Sequence, residues 1–179
     1  MATETKLRQL ADKGCPVYYF YSSERYLVRQ AVTAITRILT ADSDEDATVL
    51  DGAAPEIEQL IMAAGTISFF GTRRVVVLPE IDPAAYSDKD LEELNSTLSS
   101  LENAVVVLGS VFELERSKLK TGKRAQKLIA QCKALGYTEE LAKPKPFELK
   151  MMMIDRAKEQ KTTLPDGAAA ALLERCGEG

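Results

Sequence analysis

The side chains able to do chemistry are few, and the missing types decide as much as those present. No histidine occurs in the 179 residues, which removes imidazole acid–base catalysis and the usual zinc spacings. Cys15, Cys132 and Cys176 are odd in number and far apart, a usage that suits a reducing compartment and points to the cytoplasm. The acids that could hold a metal or a phosphoryl group are Asp51, Glu80 and Asp82, and Ser22-Ser23 are hydroxyls in a turn. Adjacent Phe69 and Phe70 offer contact rather than reaction. Exposing a phenylalanine forfeits roughly 1.5–3 kcal/mol of burial, so an exposed pair implies use. Rings folded back to cap the core under the loop are the alternative, and the pattern leaves both open.

Charge narrows the partners. The net charge is −4, which argues against tight nucleic-acid binding by the whole surface. Its distribution is uneven: 42–58 holds seven acids and no base, whereas 116–133 holds seven bases and no acid. The basic run is read as a helix with Ala125, Leu128, Ile129, Cys132 and Leu135 inward. Lys118, Lys120, Lys123, Arg124 and Lys127 are then either a solvated face or a contact to DNA phosphates or an acidic partner. No apolar run approaches membrane-spanning length, and no signal peptide is visible, so no membrane partner is expected.

Stepping from these side chains to the elements that hold them, strands alternate with helices. A short helix over 3–13 precedes the strand Val17-Tyr-Tyr-Phe-Tyr, and a helix over 26–40 follows with Leu27, Ala31, Ala34, Ile35 and Ile38 on one side. Residues 47–52 form a second strand, and Pro55 suits the first position of a helix carrying Ile57, Leu60, Ile61 and Ala64 inward. Val75 to Leu78, ended by Pro79, reads as a central strand buried on both faces. A helix over 88–99 turns Leu91, Leu94 and Leu98 inward, 104–109 is another buried strand, and 136–140 is a short last one. The alternation predicts an α/β fold with a parallel sheet flanked by helices. Lys143-Pro-Lys-Pro is a linker, and 147–160 and 166–176 read as two helices, the start of a small helical domain. The expected domains are 1–142 and an incomplete 143–179. Phe147, Met151 and Ile154 share a helical face, so the Met151-Met152-Met153 run reads as core.

In such a sheet the turn after the first strand is where phosphate binds. Here it is Tyr21-Ser22-Ser23-Glu24, without the glycines that close backbone amides on a phosphate and without a Lys-Ser/Thr for phosphate and magnesium. The strand that should end on an acidic metal ligand ends on Pro79-Glu80. Asp51 lacks the companion acids of a phospho-accepting site. The pattern is that of a nucleotide-hydrolase-like fold without the enzyme; no catalytic residue, cofactor or metal is expected.

Several blocks together resemble the delta subunit of the bacterial DNA polymerase III clamp loader. They are Val17-Tyr-Tyr-Phe-Tyr with Glu24, Tyr26 and Leu27; Asp51-Gly52; Ser68-Phe-Phe-Gly with Arg73-Arg-Val-Val-Val; Ala104-Val-Val-Val-Leu; and Ala170-Ala-Leu-Leu-Glu-Arg-Cys-Gly177. The family usually has Gly-Asp or Gly-Glu where Ser22-Ser23 stand, and leucine where Phe69 stands. The resemblance implies an AAA+-like module, followed by part of a helical lid, that binds no nucleotide and opens the ring-shaped sliding clamp, the beta subunit. It maps the clamp-binding element onto Ile67, Ser68, Phe69 and Phe70. It implies further contacts to other loader subunits through a collar domain beyond this chain, which would make the chain a truncated one. Primed DNA would be met in the assembled complex and weakly or not at all by this piece. The rival readings are a degenerate P-loop-like NTPase and a generic α/β interaction domain.

Overall fold

The computed structural model describes residues 3–43, 45–66 and 73–142. Thr3 caps α1 (Glu4–Asp12) by accepting from the Lys6 amide. Then follow β1 (Val17–Ser22), α2 (Arg25–Thr40), β2 (Thr48–Val49), α3 (Ile57–Gly65) and β3 (Arg74–Leu78). A short 3-10 turn (Pro83–Ala85) leads to α4 (Asp88–Ser99), β4 (Ala104–Val111), β5 (Glu113–Glu115), β6 (Lys118–Lys120), α5 (Gly122–Leu135) and β7 (Tyr137–Glu140). The expected helical domain at 143–179 lies outside the described residues.

Five strands form one parallel sheet in the order β2-β3-β4-β1-β7. Strands with helices on both faces must be apolar on both, and β1 and β4 are: Val17 to Phe20 and Ala104 to Leu108 are all buried. One face packs Tyr18, Phe20, Val105 and Val107 against Leu7 of α1 and Leu27, Val28, Ala31 and Ile35 of α2. The other packs Tyr19, Val76, Val106 and Leu108 against Leu60, Leu94, Leu98 and Leu128 of α3, α4 and α5. The helix read from Leu91, Leu94 and Leu98 is present at 88–99, with Ser87 as its cap accepting from the Asp90 amide.

Four readings are corrected. The central strand is β4, not β3, which lies between β4 and the two-residue edge strand β2. Apolar content reports burial on both faces, which second-from-edge strands share with central ones. Pro55 is not the first residue of α3, because Glu56 occupies the cap; the Pro55 carbonyl instead accepts from the buried Tyr86 hydroxyl at 2.8 Å. Ile61 does not face inward but is 51% exposed, beside Met62 at 71%.

The largest correction concerns the basic run, which is not one helix. Residues 113–120 form an antiparallel hairpin, β5 with β6, and only from Gly122 onward is the chain helical. Arg116 and Ser117 have φ values of +52° and +66°. Positive φ at both central residues is the tight two-residue turn whose twist matches a hairpin.

Candidate functional site

The carboxyl ends of β1, β3 and β4 open onto a cleft of about 1190 Å³, lined among others by Ser23, Glu24, Arg25, Asp51, Glu80 and Lys120. In a parallel α/β sheet this is where a nucleotide would sit. Ser22 is fully buried as the last residue of β1. Its hydroxyl accepts from the Glu24 amide at 3.0 Å, so an amide that a phosphate-binding loop would aim at the ligand is already taken. Its carbonyl accepts from Phe112 at 2.9 Å, continuing the ladder to β4.

Glu80, one residue past the proline that ends β3, forms an ion pair with Arg25 at the start of α2. The cation that could meet a phosphate and the acid that could meet a metal therefore satisfy each other. Asp82 caps the 3-10 turn by accepting from the Ala84 amide at 3.0 Å. Beneath the cleft, the Tyr19 hydroxyl and Ser110 Oγ lie 2.6 Å apart, and Ser110 donates to the Ile81 carbonyl at 2.7 Å. Burial raises the Tyr19 pKa well above its ordinary value, so this hydroxyl stays protonated and structural. Among the described residues no group of His, Cys, Asp or Glu could hold a metal ion. Nucleotide and magnesium do not fit the groups present here.

The cysteines supply no nucleophile in the described part. Burial pushes the Cys132 thiol up to about 12 and raises that of Cys15, leaving both as neutral thiols at physiological pH. No helix among the described residues is long and apolar enough to cross a membrane.

The structure spreads the five candidate cations over two elements and changes their surroundings. In the hairpin, Lys118 lies opposite Glu115 and Lys120 opposite Glu113, while Leu114 faces Leu119. The ladder thus sets each lysine beside an acid 113–115 that the run 116–133 did not include. Opposite charges across a ladder attract, which lowers what these lysines offer a phosphate. On α5, Arg124 Nε donates to Asp88 Oδ1 at 2.9 Å, joining α5 to α4. Lys123 and Lys127 remain as exposed cations one turn apart on α5. The signal for the hairpin was the alternation Glu-Leu-Glu then Lys-Leu-Lys around two residues.

Ile67, Ser68, Phe69 and Phe70 lie outside the described residues. What the structure gives is their setting: they follow α3, whose last residue is Gly65, and precede β3, which begins at Arg74.

Comparison with known proteins agrees with this frame. The family described as DNA polymerase III, delta subunit, matches residues 18–135. A solved Bacillus subtilis DNA clamp loader delta protein is similar at 24% identity with a TM-score of 0.66, covering 96% of this chain and 52% of that one. A Thermotoga maritima DNA polymerase III gamma subunit-related protein is similar at 16% identity and a TM-score of 0.58, covering 88% and 52%. Domain III of the Thermotoga maritima replication initiation protein DnaA is similar at 12% and 0.53, covering 96% and 74%. No curated protein matches the chain. At these identities the structural likenesses establish the fold, which is AAA+-like, and the chain spans about half the length of the clamp-loader delta protein. The family match covers well over half of the sequence, including the strands and helices that frame the cleft, and the chain belongs to the DNA polymerase III delta subunit family.

Proposed function

We propose that this chain is the clamp-contacting part of a clamp-loader subunit, which binds and opens a ring-shaped sliding clamp during DNA replication without hydrolysing ATP and without enzymatic activity of its own. The observation that carries the reading is the family match across 18–135, which contains the Ile67-Ser-Phe-Phe70 element. Phe69 and Phe70 enter an apolar pocket of the clamp as its binding hot spot. The surface around them favours the open ring by binding it better than the closed one, a population shift rather than a reaction. Its working place is the cytoplasm; other loader subunits join the whole protein through regions beyond this chain. Residues 1–142 act as the AAA+-like body and 143–179 as the start of a helical domain.

The paired Arg25 and Glu80 support the nucleotide-free part of the proposal. Isothermal titration with magnesium-ATP is expected to give no saturable heat at micromolar protein. Magnesium-dependent binding in the micromolar range would favour the degenerate NTPase instead.

DNA is a secondary partner in this proposal, met through Lys123 and Lys127 with Lys118, Lys120 and Arg124 contributing little. The isolated chain should bind duplex DNA no more tightly than about 10⁻⁴ M at physiological salt, with a shallow salt slope because few phosphates are neutralised. Nanomolar binding in a fluorescence-anisotropy titration would show that the basic residues act together after all.

A further inference from the structure

Segment 67–72 runs between two ends that differ sharply in how they are held. Thr66 terminates α3 with an extended backbone, and its hydroxyl donates to the Met62 carbonyl at 2.8 Å, a contact within its own helix. Arg73 and Arg74 at the other end reach far across the fold. Arg73 Nη1 donates to the Gly14 carbonyl just before β1 at 2.9 Å, and Nη2 to the Ala104 carbonyl at the start of β4 at 3.3 Å. The Arg74 amide donates to the Asn103 carbonyl at 2.9 Å. The Arg74 guanidinium meets Glu45 Oε2 at 2.7 Å, with only 21% and 23% of the two side chains exposed. A planar guanidinium loses little freedom per bond made and is suited to bridging fixed acceptors.

We infer that Arg73 and Arg74 are positioning residues for the clamp contact: they fasten the end of segment 67–72 to β1, β4 and the acidic loop, and so fix where the aromatic pair is presented. The inference rests on the proposed role of Phe69 and Phe70. A contact segment with a fixed end loses less conformational freedom on binding, so affinity depends on the fastening. A single ion pair of this kind adds little to global stability, so its loss falls on binding rather than on melting.

The test uses the whole chain with Arg74→Gln, Glu45→Gln and the reversed pair Glu45→Arg/Arg74→Glu. Each single variant is expected to bind purified sliding clamp about tenfold more weakly, through lost preorganisation. Melting should stay close to the parent's, and amide exchange at 68–72 should be faster. The reversed pair should recover most of both. Parent affinity and parent exchange in Arg74→Gln would overturn the inference, as would an affinity loss that follows the melting temperature and is not recovered by reversal. Phe69→Ala/Phe70→Ala serves as the control for the underlying reading. If it binds the clamp as the parent does, the aromatic-pair reading fails. The exchange arm still decides the fastening, and unchanged exchange at 68–72 in Arg74→Gln rejects it.

Discussion

Gly109→Ala is expected to destabilise the protein at or above the upper end of the roughly 1–3 kcal/mol that overpacking a core costs. Gly109 lies in β4, opposite Phe20 of β1. A Cβ built there would come 2.4 Å from the Pro79 carbonyl oxygen and 2.8 Å from Val28 Cγ1 of α2. The methyl would thus be caught between a backbone turn on one side and a packed helix on the other. Val28 can change rotamer, but the Pro79 turn cannot give way without disturbing its neighbours. Ile81 donates to the Gly109 carbonyl at 2.8 Å and is itself buried. Urea denaturation should show a lower midpoint with an unchanged slope. Gly65→Ala is the control: its Cβ would meet nothing within 4 Å, and it sits in the last turn of α3. That change should be neutral or slightly stabilising. If the two variants melt alike, the close approach of the Pro79 turn to β4 is not what holds the cleft floor.

The other large effect is on binding. Phe70→Ala should cost roughly 2–4 kcal/mol of clamp affinity if this ring is the hot spot, a loss of about 30- to 1000-fold. The same change should cost stability much less than the roughly 3–5 kcal/mol of a core Phe→Ala. The alternative raised by the sequence, with the rings folded back onto the core, makes the opposite forecast. There the melting temperature falls far, and the fraction that stays folded binds the clamp as before. Melting and clamp titration on one Phe69→Ala/Phe70→Ala sample separate the two.

How much could be read beforehand depended on whether the signal was local. Leu91, Leu94 and Leu98 at helical spacing, with Ser87 before the first acidic turn, mark α4 because cap and stripe agree. The β-branched runs at 75–78 and 104–108 mark strands for the same reason. Strand order is a pairing property, and nothing within Val75 to Leu78 states that β4 rather than β3 takes the middle. The hairpin was hidden because its turn is Arg116-Ser117. Turns of this kind usually carry glycine or asparagine, and seven bases without an acid invited a reading as one helix face. Counting charges along the chain also missed that Glu113 and Glu115 fold back opposite Lys120 and Lys118.

At the candidate site the missing phosphate loop was legible, since glycines and a Lys-Ser/Thr are a local requirement. The replacement was not: Arg25 and Glu80 are 55 residues apart and read singly as solvated charges. Arg73 and Arg74 were visible as part of a family-like block, but their reach to Gly14, Ala104 and Glu45 is set by the sheet. The aromatic pair was singled out by residue type and setting alone.

Ring opening without nucleotide is the central claim, and release of the sliding clamp from circular DNA measures it most directly. Clamp is placed on nicked circular plasmid, freed of loader by gel filtration, and its release followed with and without this chain in ATP-free buffer. The account predicts that the chain speeds release, that added ATP changes nothing, and that Phe69→Ala/Phe70→Ala leaves the spontaneous rate. Binding to the clamp with an unaltered release rate, or release that requires ATP, would contradict it.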